Sequence, residues 1–203
     1  VLWQVRLPRI ALACLVGAGL ALAGVALQAV FGNPLAEPGL VGVSSGAAVG
    51  AATATVLGTA AGLSGVLGGV LSVFASSWAI AVSAFIGGAV ATAIVAANAH
   101  GGRDIARIIL VGVAVNSICG GLVSLLTFVA STAARDRIVF WQMGSFASAT
   151  WTQVVIITLV TVPSVIAMWV SYRKLDILSL GEAQARHLGI NVVTLRRAII
   201  FGT

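Results

Sequence analysis

Charge is the scarcest thing in this sequence. Only 8% of its 203 residues are Asp, Glu, Lys or Arg, against about a quarter in an ordinary soluble domain. No charged residue occurs from Pro38 to Gly102, from Ile108 to Ala134 or from Ile138 to Tyr172. With 60% hydrophobic residues, runs of that length exclude a solvated globular surface and identify a membrane protein, because a spanning helix needs about 20 apolar residues. Cysteine is nearly missing too. Cys14 and Cys119 both fall inside apolar runs, where they read as small hydrophobes rather than as a disulfide or a ligand.

Two common catalytic signatures are also lacking. Neither the zinc-protease pattern H-E-x-x-H nor a phosphate-cradling G-x-x-x-x-G-K-[ST] occurs, and the five carboxylates are scattered. The chain is therefore expected to carry no catalytic residue and to hydrolyse no ATP itself. His100 and His187 stand alone in polar stretches and read as solvated, so no bound metal is expected. The net charge of +6 does not point to nucleic acid, because the basic residues form no patch with interleaved aromatics.

What charge there is forms islands, and the islands mark loops. Spans are predicted at about 10–31, 40–58, 77–97, 107–131 and 151–171, with a sixth starting near 195. The uncharged but Gly- and Ser-rich stretch from Gly58 to Ser77 is expected to turn between two spans. That threading puts Arg6, Arg9, Arg135 and Arg137 on one side of the membrane. Arg103, Arg107, Arg173, Lys174, Arg186, Arg196 and Arg197 fall on the other, and their excess assigns that side to the cytoplasm. The opening residues lead straight into a long apolar run with no cleavage site, so no signal peptide is expected. A new apolar segment begins at Ala198, which leads us to expect a fragment of a longer polytopic protein.

Three stretches are more than lipid-facing filler. Gly42, Gly46, Gly50, Ala54, Gly58 and Gly62 recur every four residues, a ridge along which another helix could come close. Pro34 and Pro38 forbid a continuous helix, leaving Asn33 to Pro38 as either a cytoplasmic turn or part of a pathway wall. The polar string "SLGEAQARHLGI", Ser179 to Ile190, reads as a helix of about two turns. Ser179 and Glu182 have capping-box spacing, Gly189 suits a left-handed stop, and Leu180, Ala183 and Leu188 offer an apolar side. So short a helix does not hold together alone in water. Either the rest of this chain or another subunit must pack against it.

Taken in order, "RLPR" (Arg6 to Arg9), "GAGLALAGVALQAVFGNPLAEPGLVGVSSGA" (Gly17 to Ala47), "ILVGVAVN" (Ile109 to Asn116), "FWQMGSF" (Phe140 to Phe146) and "LSLGEAQARHLGI" (Leu178 to Ile190) resemble the FecCD family. These are permease subunits of ATP-driven importers for iron siderophores, haem and vitamin B12. The resemblance implies an all-α, polytopic transmembrane helical bundle of about ten spanning helices, working as a permease dimer on a cytoplasmic ATPase dimer. Residues 1–203 would be one partial permease domain, from the second helix to the start of the seventh, with 172–195 the cytoplasmic coupling segment.

Residue roles follow from the same resemblance. Leu180, Gly181, Glu182, Ala185, Leu188 and Gly189 would form the surface that couples to the ATPase. Arg6 and Arg9 would dock an extracytoplasmic substrate-binding protein. Asn33, Leu35, Ile105 and Ala106 match the cytoplasmic gate, although Ile105 and Ala106 stand where the family can carry small hydroxylated residues. Gly42, Gly46 and Gly50 would pack helices. No cofactor is implied for this chain, since ATP and Mg would be held by the partner ATPase, and membrane lipid would surround it. Residues 101–117 and 137–151 are most similar to the haem and iron-chelate branch, and the implied location is the bacterial cytoplasmic membrane.

Other classes fit less well. A proton- or sodium-driven transporter needs ionisable residues within its spans, and a channel needs a filter or charged ring. A membrane scaffold without transport is the remaining alternative, and it gives the short polar helix no purpose.

Overall fold

The computed structural model describes residues 2–60, 77–98 and 105–202. Among them every regular element is helical, so the architecture is the expected all-α one. A π-helical turn, Leu2–Arg6, leads into α1 (Leu7–Phe31), and α2 (Val43–Ala60), α3 (Ser77–Ala97) and α4 (Ile105–Val129) follow. Beyond them come α5 (Thr132–Met143), α6 (Trp151–Ser179), α7 (Glu182–His187) and α8 (Val192–Gly202). Helices α1, α3, α4 and α6 are each long and apolar enough to cross a membrane. The 18 residues of α2 rise about 27 Å, just short of a hydrocarbon core of about 30 Å. The expected turn at Gly58 to Ser77, the ridge residue Gly62, and His100 and Arg103 lie largely or wholly outside the described residues.

The described residues form two compact units. The first draws on 2–38 and 145–202, with Ile105. In it α1 packs along α6 through Leu12, Ala149 and Val154, flanked by Ala11, Leu15, Val16 and Ile157. Helix α1 opens with Pro8 in its first turn, where a missing amide costs nothing. It closes at Gly32, whose φ of 58° supplies the left-handed stop. Helix α6 begins with a true capping box, Thr150 with Gln153, and runs for 29 residues, about 43 Å. It therefore continues past the apolar run that ends near residue 171: hydropathy marks membrane thickness, whereas Arg173, Lys174 and Leu175 remain good helix formers beyond it. Pro163 lies inside α6 and withholds one backbone donor from it.

The second unit draws on 39–60, 77–98 and 106–144. Its centre is the crossing of α2 and α3, where Gly46 and Gly50 meet Gly87 and Ser83 backbone to backbone. A Cβ at Gly46 would lie 2.5 Å from both the Gly87 carbonyl oxygen and the Ala91 Cβ, closer than any real contact. Gly42 differs from its two partners in the ridge. It precedes α2 at φ 80°, and a Cβ there would press on Val115 of α4. A second cluster joins Ala52 of α2 to Ala130, Ala134 and Ile138. The last two belong to α5, a 12-residue helix in what the sequence marked only as a charged island around Arg135 and Arg137.

Candidate functional site

The polar string Ser179 to Ile190 forms α7 and its two turns, all in the first unit. Its start is not the expected capping box. The Ser179 hydroxyl donates backward to the Asp176 carbonyl at 2.7 Å, and the residue that caps α7 is Gly181, at φ 120° with no side-chain bond. Glu182 cannot reach back because it is held elsewhere: its carboxylate accepts from Arg186 at 3.3 Å and from Arg196 of α8.

The stop is as expected. Gly189 has φ 78° and donates to the Arg186 carbonyl at 3.0 Å, while the Ile190 amide donates to Ala185 at 3.0 Å. This is the Schellman pair of bonds.

The expected apolar side of α7 does not face the chain's own core. Ala185 is the buried residue, at 0% exposure, whereas Leu180 and Leu188 stand 71% and 66% exposed and Ala183 is exposed as well. Of the six residues assigned to the coupling surface, Leu180, Leu188 and Gly189 are therefore open. Gly181 and Glu182 are half-buried, and Ala185 secures α7 to the body. Arg196 was missed as a site residue by sequence reasoning. It is 3% exposed, and nothing in its neighbourhood in the sequence links it to a carboxylate fourteen positions away.

At the other end of the first unit, Arg6 is exposed in the π-helical turn and Arg9 donates to the Ala147 carbonyl. Trp151 donates from its indole to the Trp3 carbonyl at 3.0 Å, and the two rings lie 5.5 Å apart. That pair ties the opening turn to the start of α6, so the arginines sit on a braced surface rather than on a loose terminus.

Asn33 and Leu35 lie in a tight turn: the Asn33 side chain accepts from the Leu35 amide at 2.9 Å, which turns Leu35 outward to 83% exposure. Ile105 and Ala106 open α4, half-buried and exposed respectively.

In the second unit a polar node went unnoticed in the sequence. The Asn116 side chain of α4 donates to the Gly39 carbonyl at 3.0 Å. Its oxygen lies 2.5 Å from the Ser45 hydroxyl, which is also 3.0 Å from the Gly42 carbonyl. One hydroxyl proton serves only one of these acceptors at a time. Gly42 to Gly46 has the spacing of a nucleophile elbow, but Ser44 is the second residue of helix α2 and what precedes that helix is a 3-10 turn, Pro38–Val41, rather than a strand, so the context that makes such a serine reactive is missing.

Helices α2, α3 and α4 line an apolar cavity of about 500 Å³ that includes Val49, Leu57, Ile94, Ile118 and Leu122. Among the described residues no group of three or more His, Cys, Asp or Glu side chains is placed to hold a metal ion.

Comparison with known proteins matches the FecCD transport family over residues 1–203. A hemin transport system permease protein of Yersinia pestis is 36% identical over 190 residues, covering 93% of this chain and 54% of that protein. A vitamin B12 import system permease protein of Escherichia coli is 35% identical over 201 residues, covering 99% of this chain and 57% of that protein. The solved structure of a metal-chelate type ABC transporter in an inward-facing conformation shares 36% identity and superposes with a TM-score of 0.85, covering 100% of this chain and 60% of that one. The chain thus spans little more than half the length of the curated relatives it matches.

Proposed function

The chain belongs to the FecCD transport family, and from that premise we propose that it is part of the permease subunit of an ATP-binding-cassette importer in the bacterial cytoplasmic membrane. Its cargo is an iron chelate, haem or a ferric siderophore, carried inward by alternating access between two copies of the permease. A separate ATPase dimer binds ATP and Mg and supplies the driving force. The observation that carries this reading is α7. A helix of six residues is not stable alone; here it is fixed from behind by Ala185 and Glu182 and presents Leu180 and Leu188 outward. An exposed apolar pair flanking a fixed short helix suits a groove in another subunit. Iron would cross already wrapped in its chelator, which asks for apolar walls rather than ligating side chains.

Cysteine crosslinking tests this. Ala183→Cys, placed in the full-length permease lacking Cys14 and Cys119, is expected to capture an ATPase subunit in native membranes, with a yield that changes on adding ATP. Free reaction with a soluble thiol reagent and no captured ATPase would instead favour a scaffold.

Docking of the binding protein gives a second expectation. Exchanging Arg6 and Arg9 together for Glu reverses the charge of a surface that steers association. Import at limiting binding protein should fall about tenfold or more, and most steeply at low ionic strength. Unchanged uptake across a titration of binding protein would remove both arginines from docking.

A further inference from the structure

Helix α7 hangs between two glycines in left-handed or similarly unusual backbone, Gly181 at φ 120° and Gly189 at φ 78°. Gly189 ends it and Gly181 begins it, so both of its junctions fall where the backbone is most permissive. Behind the second junction lies an open cleft of about 440 Å³, lined by Lys174, Leu188, Asn191, Thr194 and Ala198 among others, so close packing does not immobilise that turn. Ala185 and Glu182 tie α7 to the body. Ala185 is fully buried, but a single methyl group fixes position more than angle. Glu182, at the first position of α7, is paired with Arg196 of α8, a directional tie from one helix to the next.

Arg196 is an expensive choice for that position. Its neighbours on the inner face of α8, Val192, Leu195, Ile199 and Ile200, are all buried and apolar. Its own Nε finds no hydrogen-bond partner among the described residues. A buried guanidinium with an unmet donor contributes little to stability, and an apolar side chain of similar volume would serve stability as well or better. Such pairs are best attested where they fix register or a switch. Glu182 also accepts from Arg186 one turn along α7, so its carboxylate is held from both helices at once.

We propose that the Glu182–Arg196 ion pair is the rigid link through which displacement of α7 is carried into α8, with Arg196 a positioning residue for energy coupling. The proposal rests on the importer reading. It adds that coupling requires this pair, over and above the contact between α7 and an ATPase. When an ATPase moves α7, the pair prevents the helix from pivoting about Gly181 and Gly189, and the motion enters α8 and the membrane.

The test uses the full-length permease with its ATPase and binding protein in proteoliposomes, and reads molecules imported per ATP hydrolysed. Arg196→Gln leaves Glu182 without its buried partner and costs assembly as well as coupling. The double variant Glu182→Gln with Arg196→Gln removes both charges, so assembly should recover relative to the single variant while import per ATP stays down about fivefold or more. Arg196→Lys, which keeps the charge but not the fork, should fall between. A double variant that assembles and imports with the wild-type ratio would reduce the pair to a packing contact and overturn the proposal.

A second measurement leaves the pair intact. Spin labels on the exposed residues Ala183 and Phe201 should keep one separation in nucleotide-free and ATP-bound complexes, and a separation that changes with nucleotide would overturn the rigid link. If the wild-type permease captures no ATPase at all, the importer reading falls and takes this proposal with it. Capture together with an unchanged ratio in the double variant removes the proposal alone.

Discussion

Gly46→Leu is expected to prevent recovery of folded permease from membranes, while Gly17→Ala leaves the yield unchanged. The contrast is geometric. A Cβ at Gly17 has nothing within 4 Å in the described structure, whereas one at Gly46 meets the backbone of α3 at 2.5 Å. Backbone cannot swing aside as a flexible side chain does, so α2 and α3 must separate. Separation also strips Gly50 from Ser83 and Gly88 from Val43. Overpacking commonly costs 1–3 kcal/mol, and loss of a whole crossing places this variant at about 3 kcal/mol or more. In a membrane, no hydrophobic driving force between helices makes up for lost packing, because lipid is as apolar as the helix it replaces. The check is the fraction of monodisperse protein in detergent and its thermal unfolding, with Gly46→Ala as the intermediate case. Normal assembly of Gly46→Leu would mean that the ridge is not the contact between α2 and α3.

Much of this fold was legible because a membrane simplifies the code. Length, apolarity and charged islands located α1, α3, α4 and α6 to within a few residues at most of their ends. The ridge of Gly46 and Gly50 was legible because a four-residue step stays on one face of a helix. What escaped has a common physical origin. Hydropathy ends where lipid ends, so the last turns of α6 and all of α5 went unread as helix.

The partner of Glu182 went unread because a capping box is a local pattern and Arg196 is not local. The sequence leaves open whether α7 packs on its own chain or on another subunit. Ala185, near the middle of the helix, is the residue that fits against the body, whereas Leu180 and Leu188 lie in the turns that flank its six residues and stay exposed. Two leucines thus remain outside that a self-contained helix would have buried.

Those leucines support the second large effect. Leu180→Asp combined with Leu188→Asp is expected to leave the permease folded and to abolish its association with an ATPase. Both positions are mostly exposed, and exposed substitutions away from packed contacts change stability by only about 0.5 kcal/mol. In a docked complex the same two positions would enter an apolar groove, where truncating a central contact commonly costs about 2 kcal/mol or more and an unpaired carboxylate adds its desolvation. Two such losses amount to about a thousandfold in affinity at roughly 1.4 kcal/mol per tenfold.

Ala185→Asp is the informative opposite. Its side chain is fully enclosed, so the charge would dislodge α7 and lower stability and association together. Pull-down of the ATPase, set beside thermal unfolding of the same samples, separates the two cases. Loss of capture at unchanged unfolding temperature for the leucine pair assigns them to the interface. Retained capture would move the docking surface off α7 and leave Leu180 and Leu188 to face lipid headgroups.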